Sequence, residues 1–127
     1  CQPAQRSCGP NEVWSYGKAT QEILVKYIQV RSKLKPYIAE LSRNVTARGV
    51  PTVRPLWWEF PDAGHDVEDQ YLLGPDLLVA PVATQGATSR SVVFPGSPAV
   101  EWESLWDPQT VVKGGQTKTI DVHKPQL

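Results

Sequence analysis

Residues 48–82 read RGVPTVRPLWWEFPDAGHDVEDQYLLGPDLLVAPV and decide the fold of this chain. This stretch follows a long segment of helical periodicity and leads into short runs of alternating apolar and polar residues. Prolines and glycines interrupt it every few residues, as they do in loops and at strand ends. The order of a helix, a crossing segment and short strands predicts a junction where an α/β layer ends and a β-domain begins.

The segment that precedes the junction, residues 18–48, predicts a long helix. Because Pro36 removes a backbone hydrogen bond and clashes with the carbonyl of Ser32, we expect a kink or a break near residues 33–35. Thr20 is the predicted N-cap, and Gly49 is the predicted left-handed residue that ends the helix. One stripe of apolar residues, spaced by three or four, predicts packing against a larger body. The stripe consists of Ile23, Tyr27, Val30, Leu34, Tyr37 and Leu41.

Short strands are predicted after the helix. Residues 53–60 predict one strand and residues 62–69 an acidic loop, and Gly74-Pro75-Asp76 predicts a tight turn. The sequence KGGQT, residues 113–117, predicts a hairpin loop. Strands at this short spacing predict an antiparallel β-sandwich. The further predicted strands are residues 77–82, 91–94, 100–105, 110–112 and 117–122.

The length and charge of the chain restrict its class. It has 127 residues, which is about one small domain. It begins with Cys1 and contains no methionine, so we expect a processed chain or a fragment. Its 13 basic and 13 acidic residues are scattered, which argues against nucleic-acid and anionic-membrane binding. No apolar stretch approaches the roughly 20 residues that a membrane span needs. Cys1 and Cys8 fit no metal-ligand spacing, and no motif indicates a metal or a cofactor.

Several ordered blocks of the sequence resemble glycoside hydrolase family 31, which contains α-glucosidases and α-xylosidases. The blocks are NEVWSYG (11–17), LKPYIAEL (34–41), VRPLWWEFP (53–61), DQYLLGPDLLVAPV (69–82), GATSRSVVFPG (86–96) and KGGQT (113–117).

The resemblance implies an α/β segment followed by a β-domain. Residues 1–61 would be the C-terminal end of a TIM-type (β/α)8 barrel, with the long helix as its last outer helix. Residues 62–127 would be an incomplete, proximal C-terminal β-sandwich. The resemblance also implies that this chain packs against the missing barrel.

The resemblance further implies a function for the parent enzyme. That parent would be a retaining glycosidase acting on the α-glucosides or α-xylosides of oligosaccharides. Its two catalytic aspartates would lie upstream, so the present chain would have no catalytic residue and no activity alone.

A substrate-binding loop is also implied by the resemblance. In the family, a pattern like F-R-S-H-G carries a histidine that contacts the sugar. Residues 5–9, QRSCG, match that pattern, which gives Arg6 and Cys8 as the substrate-binding positions. Cys8 stands where the family has histidine, and a thiol is a much weaker hydrogen-bond donor than an imidazole.

Other polar groups in the sequence favour structural roles. Glu101 and Glu103 alternate on a predicted strand and share one face, which favours a solvated surface over a catalytic pair. His65 and His123 accompany no serine or cysteine in a nucleophile context. One loop cluster has irregular spacing that matches no metal-ligand set. It consists of Asp62, His65, Asp66, Glu68 and Asp69.

Two aromatic pairs could bind sugar or fill a core. On a strand, Trp57 and Trp58 would point to opposite faces, so we expect one of them in the core. Arg54 and Glu59, which flank this pair, are expected to brace the junction between barrel and sandwich. Packing is favoured for the second aromatic pair, Trp102 and Trp106. The alternative function is a stand-alone β-sandwich module that binds carbohydrate or a partner protein through that second pair.

Overall fold

The computed structural model describes residues 12–122, which fall into two compact units that divide between Glu40 and Leu41. The first unit contains a short 3-10 helix, Val13–Tyr16, helix α1, Lys18–Lys33, and the start of helix α2, Lys35–Arg48. The second unit contains the rest of α2, a short helix and seven strands. These are β1 Val53–Arg54, α3 Leu56–Glu59, β2 Tyr71–Leu73, β3 Leu77–Val79, β4 Ser89–Phe94, β5 Glu101–Glu103, β6 Val111–Lys113 and β7 Gln116–Asp121.

The long helix is interrupted at Leu34, which confirms the break expected from Pro36. Pro36 has no N–H to donate, so α2 restarts with proline in its first turn, where that loss is tolerated. The prediction of Thr20 as N-cap was wrong, because α1 begins after Gly17. Gly49 has a φ of 67° and follows the last residue of α2, as predicted.

Of the residues in the predicted apolar stripe, only Leu41 is fully buried. No residue of α1 is buried, whereas Leu41 of α2 is 3% exposed. Val25, Tyr27 and Ile28 of α1 are exposed. The α1 members of the stripe other than Tyr27, which are Ile23 and Val30, are half-buried.

The strands of residues 12–122 form three small antiparallel sheets, ordered β1-β2-β3, β4-β7 and β5-β6. This arrangement confirms the predicted antiparallel β-domain. The predicted end of a TIM-type barrel was wrong for this chain, because a (β/α)8 barrel is built on parallel strands and every strand pair described here is antiparallel. The domain boundary predicted between residues 61 and 62 falls between β1 and β2, which pair in one sheet. The division of the parent enzyme into domains at this point stays a prediction.

The segment after β1 folds differently from the sequence-based prediction. Residues 53–60 were predicted as one strand, but the strand ends at Arg54 and α3 follows. Pro55 has a φ of −65°, which suits the entry to a helix, and Phe60 N–H donates to the Leu56 carbonyl at 3.1 Å. Strand β2 was not predicted; its Leu72 is fully buried.

Gly114 and Gly115 form a corner between two sheets, so the predicted hairpin was wrong. They connect β6 to β7, but β6 pairs with β5 while β7 pairs with β4. Gly114 N–H donates to the Val100 carbonyl and Gly115 N–H to the Phe94 carbonyl, both at 2.8 Å. A Cβ on Gly114 would lie 2.6 Å from the Ser97 carbonyl oxygen, so glycine is required by close backbone approach.

The second unit has a small core that includes a buried amide. Gln70, which is 5% exposed, precedes β2 and bonds through its side chain to the backbone of Val93 in β4. Among the described residues, no buried side-chain nitrogen or oxygen lacks a hydrogen-bond partner. The apolar core residues are Leu41, Leu56, Leu72, Val92 and Val112.

Candidate functional site

The predicted substrate-binding positions, Arg6 and Cys8, lie outside the described residues, and so does His123. Their roles stay predictions.

Glu101 and Glu103 lie on one face of β5 and are exposed, while Trp102 between them is half-buried. Their cross-strand partners on β6 are Lys113 and Val111. This placement confirms the interpretation as a solvated strand face. Glu101 and Lys113 carry opposite charges and lie directly opposite each other, an arrangement that favours cross-strand pairing.

The acidic loop is held by contacts that use two of its side chains. Asp69 Oδ2 accepts from Arg90 Nη2 at 2.8 Å, and Nε2 of His65 lies 2.6 Å from the Pro61 carbonyl oxygen. Residues 12–122, which include this loop, contain no group of three His, Cys, Asp or Glu side chains placed to hold a metal ion.

Trp57, Trp58 and His65 form an exposed aromatic surface. The indoles of Trp57 and Trp58 lie 6.2 Å apart between centroids and are tilted by 45°. The His65 ring stacks with Trp57 at 6.3 Å and 3°. Trp57 is 43% exposed and Trp58 is 44% exposed, so the expectation that one of them fills the core was wrong. The expected opposite orientation on a strand was also wrong, because both residues lie on α3.

The aromatic surface has a rigid base. Leu56, the first residue of α3, is fully buried. Gly64 packs directly on it, since a Cβ at Gly64 would lie 2.6 Å from the Leu56 Cβ atom. The φ of 77° at Gly64 also requires glycine, so the loop that carries His65 returns to α3 at a fixed position.

A largely buried ion pair lies beside the aromatic surface. The Arg54 guanidinium pairs with the Glu59 carboxylate, and Arg54 Nε donates to the Pro51 carbonyl at 2.7 Å. The two side chains are 8% and 30% exposed. The pair therefore ties β1 to the end of α3. Its predicted role at a junction with a barrel stays a prediction.

The two remaining tryptophans of this unit have different environments. Trp102 donates from Nε1 to the Pro95 carbonyl at 3.0 Å and packs on Phe60, with ring centroids 6.0 Å apart. This contact confirms the packing role of Trp102. Trp106 is 47% exposed, so it contributes little to the core.

Comparisons with known proteins define the class of this β-domain. A sequence model described as the glycosyl hydrolase family 31 C-terminal domain matches residues 49–127. An alpha-xylosidase of that family from a soil metagenome superposes with a TM-score of 0.82 at 36% identity, over 89% of this chain and 17% of that one. A Flavobacterium johnsoniae dextranase of the family gives a TM-score of 0.82 at 34% identity, over 88% of this chain and 14% of that one.

Sequence relatives agree with the structural likeness. A probable glucan 1,3-alpha-glucosidase of Arabidopsis thaliana is 38% identical over 91% of this chain and 12% of that protein. An alpha-xylosidase of Saccharolobus solfataricus is 31% identical over 89% of this chain and 15% of that protein. The chain belongs to glycosyl hydrolase family 31. It spans less than a fifth of the length of these relatives and matches the C-terminal domain of the family.

Proposed function

We propose that this chain is the C-terminal part of a parent glycosidase that hydrolyses O-glycosyl bonds of α-glucosides or α-xylosides. The observation that carries the proposal is the family match over residues 49–127. The relatives named above as an alpha-glucosidase and an alpha-xylosidase support these two substrate classes. Oligosaccharides would reach the chain only through the parent.

The chain alone is proposed to be inactive. Retaining hydrolysis requires two carboxyl groups about 5–5.5 Å apart across the glycosidic bond, one as nucleophile and one as acid and base. Glu101 and Glu103 are exposed on an open strand face, and Asp69 is engaged by Arg90. These environments do not provide the enclosed pair that the chemistry needs, which supports catalytic aspartates elsewhere in the parent.

No observation on the described residues favours the alternative of a stand-alone carbohydrate-binding module that uses Trp102 and Trp106. Trp102 is engaged with Pro95 and Phe60, which argues against its use as a sugar-stacking ring. The exclusion of nucleic-acid and membrane partners stays a prediction. Within residues 12–122, no helix combines the length and apolarity needed to cross a membrane.

The proposal is tested by assaying the full parent and the 127-residue chain with 4-nitrophenyl α-glucoside and α-xyloside. We expect turnover by the parent and none by the chain. The anomer released first, followed by NMR, should retain the α configuration. Turnover by the chain would overturn its proposed inactivity, and a parent inactive on both substrates would overturn the proposed parent activity.

A further inference from the structure

We propose that Asn44 is a site of N-linked glycosylation, a modification that goes beyond the proposed glycosidase function and does not depend on it. Asn44, Val45 and Thr46 form the acceptor pattern Asn-X-Thr, in which X is any residue except proline. The other asparagine of the chain, Asn11, lacks the pattern because Val13 follows it two residues later. Asn44 is therefore the single acceptor asparagine of this sequence.

Asn44 lies where the buried face of α2 ends. Its side chain is half-buried. The apolar stripe, which advances by three or four residues, reaches buried Leu41, and the next such position holds Asn44 instead of an apolar residue. Ala47 and Arg48, its neighbours on the following turn of the helix, are exposed. A glycan attached at this edge of the buried face can extend into solvent.

The three residues of the acceptor pattern suit a helix poorly. Asparagine, valine and threonine are all weaker helix formers, and here they occupy consecutive positions of α2. Val45 is 40% exposed and Thr46 is also exposed, so packing does not explain the choice of these residues. The Thr46 hydroxyl donates to the Ser42 carbonyl at 3.3 Å, a bond that does not strengthen a helix. Residues that break a local rule without a gain in packing indicate a function.

The geometry of α2 places the modification before folding. Glycosyl transfer requires that one enzyme site bind the asparagine amide together with the hydroxyl two residues later. Each residue of an α-helix is rotated by about 100° from the previous one, so side chains at positions 44 and 46 point to nearly opposite sides of α2. The weak helix formers lower the helical population of the unfolded chain. They therefore favour recognition of the pattern while the chain is being made.

The chemistry of the site defines the donor and the product. The side-chain nitrogen of Asn44 forms a bond to C1 of the first sugar, while the bond between C1 and the diphosphate oxygen of a polyprenyl-linked oligosaccharide breaks. The nitrogen loses one proton to a base, and the polyprenyl diphosphate leaves. The product is bulky and hydrophilic, which suits a surface position. The proposal thus places the parent in a compartment that contains such a donor.

The test uses the full parent, purified from the cells that produce it naturally. Tandem mass spectrometry should find the peptide that contains Asn44 heavier than its sequence by the mass of an oligosaccharide. A peptide N-glycosidase in heavy-oxygen water should then convert Asn44 to labelled aspartate, whereas Asn11, the internal control, should remain asparagine. An untreated peptide whose main form carries unmodified Asn44 would make the pattern a chance match and overturn the proposal.

Variants of the parent, produced in the same cells, test whether the pattern directs the modification. Thr46→Ala removes the required hydroxyl, so we expect loss of the glycan and faster migration of the denatured protein in electrophoresis. Thr46→Ser keeps a hydroxyl and should keep the glycan. Ser42→Ala is the matched control, because it removes a hydroxyl from the same helix outside the pattern and should leave migration unchanged. A glycan that persists in Thr46→Ala, or that is lost equally in Ser42→Ala, would overturn the proposal.

Discussion

Gln70 takes the place of a neighbouring strand along the edge of β4 at Val93. Its Nε2 donates to the Val93 carbonyl and its Oε1 accepts from the Val93 N–H, both at 2.9 Å. In the ladder with β7, Val93 lies opposite Thr117. The N–H and the carbonyl of Val93 both bond to Gln70, so the ladder pair Val93–Thr117 is of the non-hydrogen-bonded type. One side chain thus connects the sheet of β1, β2 and β3 to the sheet of β4 and β7.

We predict that Gln70→Ala lowers the free energy of unfolding by about 2 kcal/mol, because it leaves the part-buried N–H and carbonyl of Val93 without their partner. Gln70→Glu should also destabilise the protein, since a carboxylate cannot donate to the carbonyl. Urea unfolding measures both changes. Gln109→Ala, at an exposed glutamine, is the matched control and should change the value by less than about 0.5 kcal/mol. Equal values for Gln70→Ala and Gln109→Ala would contradict the role of Gln70.

Gly114→Ala should be among the most destabilising single-methyl additions in the second unit. The new Cβ would meet the Ser97 carbonyl oxygen at 2.6 Å and the Pro95 carbonyl oxygen at 2.9 Å, and backbone atoms cannot rotate away. We expect a loss of about 3 kcal/mol, at the upper end for overpacking. The measurement is the shift of the thermal unfolding midpoint together with the enthalpy of unfolding.

Gly86→Ala is the comparison for that change. Gly86 has a φ of 76°, but a Cβ added there would have no atom within 4 Å, so the substitution tests backbone strain without a steric clash. We expect a loss of about 1–2 kcal/mol, the usual cost of a left-handed residue other than glycine. A larger loss of stability at Gly86 than at Gly114 would contradict the prediction, because it would show that the close backbone approach at Gly114 costs less than backbone strain alone.

Glu59→Gln should destabilise the protein by about 2 kcal/mol, because it leaves the guanidinium of Arg54 largely buried without its countercharge. Asp69→Asn provides a matched test at an ion pair whose carboxylate is 68% exposed, and there we expect a loss below about 1 kcal/mol. Chemical denaturation at constant pH measures both. The interpretation fails if Asp69→Asn is the more damaging change.

Glu101→Gln and Glu103→Gln should leave the parent's kcat/KM within about twofold of the unmodified enzyme, as expected for groups that do not stabilise the transition state. Both carboxylates are exposed on β5. The double variant, measured on whichever aryl α-glycoside the parent turns over, checks this. A loss of several orders of magnitude would place one of these residues in the active site.

Local signals in the sequence predicted much of the fold. Pro36 placed the interruption between α1 and α2 because its missing N–H is a strictly local effect. Turn residues located β4, β5, β6 and β7 to within a few residues. Gly49 was also predicted correctly, since a left-handed residue after a helix favours glycine regardless of tertiary contacts.

The remaining features depend on contacts that a sequence pattern does not encode. The run after Pro55 alternates too weakly to distinguish a strand from one helical turn, so Trp57 and Trp58 were assigned to the wrong element. Gly114 was interpreted as a hairpin residue although its requirement comes from the backbone of Ser97, in another part of the unit. The bonds between Gln70 and Val93 join residues 23 positions apart. No short-range periodicity predicts such a pair.

The corner at Gly114 and Gly115 has a consequence for the order in which this unit can fold. Strands β5 and β6 are near each other in sequence, so their pairing forms only a short loop. Strands β4 and β7 lie before and after them in sequence, so their pairing forms a longer loop. Loop-closure entropy therefore favours β5 and β6 as the first pair, and their pairing shortens the effective loop that β4 and β7 must close. The two glycines connect the local strand pair β5–β6 to the long-range pair β4–β7, so we predict that substitutions at them change the rate of folding as well as the stability.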